Sequence, residues 1–168
     1  YPNIENIIKF RKRKPPIQFP QFPEGDMIEL LEHVDEIIRH DFESMNERLR
    51  AYRDRALICT LPETGFRIGE ALGLLIGSIN KRKKIAIVRG KNNEEAVVRF
   101  TSNAIAVIWD YLNIRYPLDL KTGKQRASLP VFANHSDSAG SRISAITPST
   151  GGRIVVMRVK EILKRHPE

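Results

Sequence analysis

A chain of 168 residues with 41% hydrophobic and 29% charged residues has the make-up of one globular domain with a real core. No apolar run nears the ~18 residues of a membrane-spanning helix, and no secretory signal pattern is present, so a cytoplasmic protein without membrane contact is expected. The net charge of +8 points to an acidic polymer as partner, although solubility alone is the plainer reading of a basic chain.

The opening residues 1–25 read as an interdomain linker. "FRKRKPPIQFPQFPEG" sets four consecutive bases beside Pro15, Pro16, Pro20 and Pro23, a composition that favours extended or poorly ordered chain. From residue 26 on, helical spacing of Met27, Leu30, Leu31, Val34, Ile37 and Ile38 predicts an amphipathic helix from Asp26 to Arg39. Residues 24–54 hold ten of the 20 acids and four of the 28 bases, leaving 24 bases against 10 acids elsewhere. The acids of this segment are expected on a solvated outer face, turned away from any nucleic acid.

A second helix is predicted from Glu47 to Leu61, with Leu49, Tyr52, Ala56 and Cys59 on one stripe. Cys59, the single cysteine, fits a small core residue in a reducing compartment. Then comes "LPETGFRIGEAL", which breaks at Pro62 and Gly65 and resumes as a short helix reaching Leu75. "KKIAIVRG" and "EAVVRF" read as two strands around a Gly90–Glu95 turn, hence a hairpin. Thr101 or Ser102 can cap a helix carrying Ile105, Ile108, Trp109 and Leu112 that ends before Pro117, with Trp109 in the core. Residues 117–150 look like loop apart from "LPVF", and a last helix runs from Gly152 to Arg165. The whole is mainly helical with one small antiparallel sheet, an α+β class.

Arg67 stands on the tight turn between two apolar segments, flanked by Phe66 and Ile68. A guanidinium there can make paired hydrogen bonds to two phosphate oxygens, whereas a lysine reaches a single oxygen. Glu70, three residues on, lies on the same helix face and can hold that guanidinium. Lys81, Arg82, Lys83, Lys84, Arg89 and Lys91 put six bases in eleven residues, with Lys91 at the hairpin tip. Taken singly, each has a plainer reading: a surface Arg–Glu pair at a helix start, a solvated turn lysine, and a core aromatic in Phe66. His33, His40, His135 and His166 show no spacing typical of zinc ligands, and neither a metal nor another cofactor is expected.

The combination is more specific than its parts. "YRDRALICTLPETGFRIGEALGL", a strand, "RGKNNEEAVVRF" and a helix together resemble the catalytic domain of tyrosine recombinases, the phage integrase family. "FPQFPEGDMIELLEHV" resembles the linker and first helix of that domain, and "LPVFANHSDSAGSRIS" the segment before its penultimate helix. The resemblance spans roughly residues 17–166. It implies that Arg67 is the first catalytic arginine, Glu70 its supporting acid and Lys91 the hairpin lysine, with Lys81, Arg82, Lys83, Lys84 and Arg89 on DNA. It also implies cleavage and rejoining of duplex DNA through a 3′-phosphotyrosyl intermediate and a synaptic tetramer of the full-length protein.

The departures set expectations too. The turn reads Gly-Lys-Asn-Asn, without the family's second glycine and following lysine. The His-x-x-Arg box and the nucleophilic tyrosine are unmatched, Tyr111 and Tyr116 falling too early. The chain opens on Tyr1 rather than Met. It is therefore expected to be a monomeric piece of a longer enzyme, inactive alone, with residues 26–168 the first part of the catalytic domain. Two other readings remain at this point: a DNA-binding regulator on a recombinase scaffold, and a basic RNA-binding protein.

Overall fold

The computed structural model describes residues 24–89, 95–137 and 142–165. Most of the expected linker, the Gly90–Glu94 turn with Lys91, part of the "HSDSAGS" stretch, and His166 lie outside them.

Helices α1 (Glu24–Ile37), α2 (Met45–Thr64), α3 (Ile68–Leu72), α4 (Ser102–Lys121) and α5 (Pro148–Arg165) surround a core, with strands β1 (Ile79–Asn80), β2 (Ile85–Arg89) and β3 (Glu95–Arg99) at one side. The sheet is antiparallel in the order β1-β2-β3. Ile79 pairs with Ala86, and Ile87 with Val97. The core lies chiefly between α2 and α4: Leu49, Leu57 and Ile58 meet Ile105, Ile108 and Leu112, all nearly inaccessible. The stripe foreseen on α2 is there, with Leu49, Ala56 and Cys59 buried and Tyr52 partly so. Burial pushes the Cys59 thiol up to about 12, which leaves it inert at neutral pH.

Both long helices run through a proline that was expected to stop them. α2 continues past Pro62 to Thr64, and α4 passes Pro117 to Lys121. Each proline sits on an exposed face, where the ring finds room. Side chains secure the turns around them. Thr60 and Thr64 hydroxyls donate to the carbonyls of Ala56 and Thr60, both at 2.7 Å. Across Pro117, buried Arg115 donates from Nε to Asp119 at 2.8 Å and from its two terminal nitrogens to the carbonyls of Val131 and Pro130.

That guanidinium also explains the "LPVF" stretch. Leu129, Val131 and Phe132 are fully buried, and Tyr111 donates or accepts at His135 Nε2 over 2.6 Å. Burial, with Arg53, Arg115 and Arg50 nearby, drives His135 down to about 3, so the ring is neutral. A second buried network ties three helices: Asp54 on α2 binds Arg53 and Arg158, Arg158 binds Glu161 on α5, and Glu161 meets His33 on α1. Of the acids in residues 24–54, Asp54 is buried rather than solvated, while Asp35 and Glu36 stay open to solvent as they pair with Arg55 and Arg165.

The predicted hairpin is present, with a third strand that the sequence did not suggest. β2 starts at Ile85 rather than Lys83 because Lys84 holds a left-handed φ of 54° and the Lys83 amide donates to Asn80 Oδ1 at 2.9 Å. Trp109, expected in the core, is only partly buried; Lys81 Nζ lies 5.2 Å from its ring centre.

Candidate active site

Gly65 ends α2 in a left-handed conformation (φ 69°), its amide bonded to the Leu61 carbonyl at 3.0 Å. Only a residue without Cβ takes that backbone without strain, and it turns the chain sharply. Phe66 then drops into the core against Phe100, ring centres 6.0 Å apart, as foreseen. With its neighbour anchored, Arg67 is forced outward at the start of α3, its side chain 86% exposed. Glu70 reaches back to accept the Arg67 amide at 3.0 Å and stands 3.6 Å from the guanidinium. The carboxylate thereby fixes the backbone of Arg67 and offsets its charge while leaving its donors free.

The base of the site is rigid. Glu63, at the end of α2, accepts from the Thr101 hydroxyl, Asn103 Nδ2 and the Ala104 amide, locking the start of α4 beside the turn. α3 rests on α5, where Gly151 lets Ile68 and Leu72 approach; a Cβ there would lie 2.9 Å from Leu72 Cδ1.

A cleft of about 410 Å³ separates α3 from the hairpin, lined by Gly69, Glu70 and Gly73 on one side and Val88 and Glu95 on the other. Residues 90–94, with Lys91, lie outside the described residues, and the described cleft lining places Glu70 opposite Val88 and Glu95 of the hairpin. Lys81, Arg82, Lys83 and Lys84 form the exposed turn between β1 and β2. This turn is at the opposite end of β2 from Arg89, about 13 Å along the strand at ~3.3 Å per residue. The eleven-residue run of bases is thus divided between two ends of the sheet. Lys84 Nζ bonds Ser102 Oγ at 2.5 Å. Arg89 closes β2, its backbone paired with Glu95.

Neither tyrosine near the sheet side of α4 is poised as a nucleophile. Tyr111 is fully buried, and burial raises its hydroxyl above the ordinary range. Tyr116 is half-exposed beneath the Arg126 guanidinium, 4.8 Å from its ring centre. Among the described residues no group of three His, Cys, Asp or Glu could hold a metal ion, and no helix is long and apolar enough to cross a membrane. One basic cluster escaped the sequence reading altogether: Lys121, Lys124 and Arg142 converge on a single concavity. Their separation along the chain left no local signal.

Known proteins resemble this chain in sequence and in fold. The chain is 36% identical over 110 residues to the tyrosine recombinase XerC of Pelobacter propionicus, covering 66% of this chain and 32% of that protein. It is 32% identical over 107 residues to XerC of Listeria welshimeri, covering 64% and 33%, and 36% identical over 93 residues to tyrosine recombinase XerD of Corynebacterium glutamicum, covering 55% and 29%. These matches span about a third of each relative's length. In fold, the crystal structure of XerA recombinase superposes with a TM-score of 0.59 at 19% identity, covering 83% of this chain and 42% of that one. The family described as phage integrase matches residues 32–164, and the chain belongs to that family.

Proposed function

We propose that this chain carries the arginine–lysine half of a site-specific recombinase active site, and that the whole protein cuts and rejoins duplex DNA through a 3′-phosphotyrosyl intermediate. The observation that carries the reading is Arg67: an outward guanidinium, braced by Glu70, on a rigid turn beside a cleft leading to the hairpin. Tyrosine recombinases are what its relatives are named.

In the reaction a tyrosine oxygen bonds to phosphorus while the bond from phosphorus to the 5′-oxygen breaks. Charge grows on the non-bridging oxygens, and Arg67 offers two parallel N–H donors to them, help worth about 10²–10³-fold in rate. Lys91 gives the departing 5′-oxygen its proton. The phosphate ester energy is kept in the covalent link, so rejoining needs no nucleotide. Lys81, Arg82, Lys83, Lys84 and Arg89 hold the backbone. Because Tyr111 is buried and Tyr116 stacked, the nucleophile comes from a further segment. On the same reading residues 1–25 link two domains, residues 26–168 begin the catalytic one, and the protein works in the cytoplasm as a tetramer on paired sites.

Lys91 is tested by its leaving group. In a protein that includes this chain and the tyrosine, Lys91→Ala should cleave ordinary DNA at least about 10²-fold more slowly. A substrate with sulfur at the bridging 5′ position expels a thiolate that needs no proton, so Lys91→Ala should cleave it nearly as fast as the unaltered protein. An equal defect on both substrates would remove Lys91 from the general-acid role.

A further inference from the structure

The concavity at the far end of α4 is the strongest unassigned feature. It measures about 410 Å³ and is lined by Lys121, Thr122, Lys124, Arg142, Ile143 and Ser144. No carboxylate lines it, and all three cations are exposed. Among the described residues none of the three takes part in an ion pair, whereas Arg53, Arg55, Arg115, Arg126, Arg158 and Arg165 all do. Three uncompensated cations converging with two hydroxyl side chains suit a phosphodiester backbone, which presents closely spaced anionic oxygens.

Their placement follows from two elements. Lys121 ends α4; Thr122 caps it, and Gly123 (φ 66°) turns the chain so that Lys124 falls beside Lys121. Arg142 and Ser144 lie on an extended segment pinned by the Asn134 amide bond to the Ser144 carbonyl at 2.8 Å and the Ala133–Ala145 bridge. That segment leads into the first turn of α5, where Thr147, Ser149 and Arg153 are exposed. The same turn packs on α3 through Gly151, against Ile68 and Leu72. Exposed polar and basic side chains thus occur at the start of α5, which packs on α3, and at Lys121, Lys124 and Arg142. The start of α4 is tied to Glu63 at the end of α2, so the 20 residues of α4 set Lys121 about 30 Å from the turn that carries Arg67, close to one turn of duplex.

We infer that Lys121, Lys124 and Arg142 form a second phosphate-backbone contact, gripping duplex DNA about one helical turn from the scissile phosphate. The inference rests on the DNA-cleaving reading above and adds a place where flanking duplex is held.

Counterion release gives a direct test on the chain as it stands. The slope of log binding constant against log salt is measured by fluorescence anisotropy on a duplex of about three helical turns. The triple variant Lys121→Gln, Lys124→Gln, Arg142→Gln should lower the slope's magnitude by about 2–3, at about 0.9 per lost phosphate contact, and weaken binding at low salt at least about tenfold. Lys160→Gln with Lys164→Gln, exposed farther along α5, should leave the slope within about one unit of the unaltered chain. Thermal melting by circular dichroism checks that each variant is folded. A triple variant with the unaltered slope, while Lys81, Arg82, Lys83 and Lys84 changed to Gln reduce it, would overturn the second contact and spare the DNA reading. An unaltered chain that binds no duplex even at low salt would overturn both.

Discussion

The guanidinium of Arg67 is held by one carboxylate and otherwise faces water, whereas Arg115 is wholly buried with every bond inside the protein. This contrast separates a side chain free to meet a ligand from one that holds the fold. Exposed ion pairs contribute about 0–1 kcal/mol, so Glu70→Gln should leave urea stability within about 1 kcal/mol. Asp119, 2% exposed, is shared by Arg115 and Arg126. Asp119→Ala strands a buried cation and should lower stability by about 3–5 kcal/mol in the same measurement. Equal losses from the two substitutions would contradict this division. The sequence displays Arg67 and Glu70 plainly because their partnership is local, three residues apart on one short helix. Arg115, Arg158 and Asp54 look like ordinary surface charges in the sequence, since besides near partners each binds a group 15 to 104 residues away.

At the scale of elements, periodicity located all five helices and the hairpin, and misjudged their ends. Pro62 and Pro117 were expected to stop helices, but a proline ring costs least on the solvent face, and which face that is depends on packing. β1 has only two residues, too few for an alternating pattern, and exists because β2 offers it an edge. The three-residue helical turns Ile76–Ser78 and Arg126–Ser128 likewise exist through each other. At Gly77 a Cβ would lie 2.8 Å from the Ala127 Cβ and 2.9 Å from its carbonyl oxygen, so one backbone would have to move. Gly77→Ala should therefore destabilise the protein by about 1–3 kcal/mol, the range of an overpacked contact. The measurement is a urea midpoint at unchanged slope. A neutral or stabilising outcome would mean that the two turns separate freely.

Taken whole, the molecule arranges its charge by depth. Buried arginines are neutralised by Asp54 and Asp119, α1 sets Asp35 and Glu36 against arginines of α2 and α5, and exposed cations outside these ion pairs include those of the β1–β2 turn and the end of α4. Composition conveyed the excess of bases, but the two separate ends of the sheet and the cluster of Lys121, Lys124 and Arg142 emerge only once the chain is folded. The central claim concerns Arg67, and trapping on DNA tests it most directly. A protein comprising this chain and the nucleophilic tyrosine is incubated with a nicked substrate whose short strand is lost after cleavage, and the covalent adduct is resolved on a denaturing gel. Arg67→Lys retains the charge but loses the paired donors, so adduct formation should slow by about 10²-fold or more while DNA affinity stays within about threefold. Adduct forming at the unaltered rate with Arg67→Lys would contradict the account.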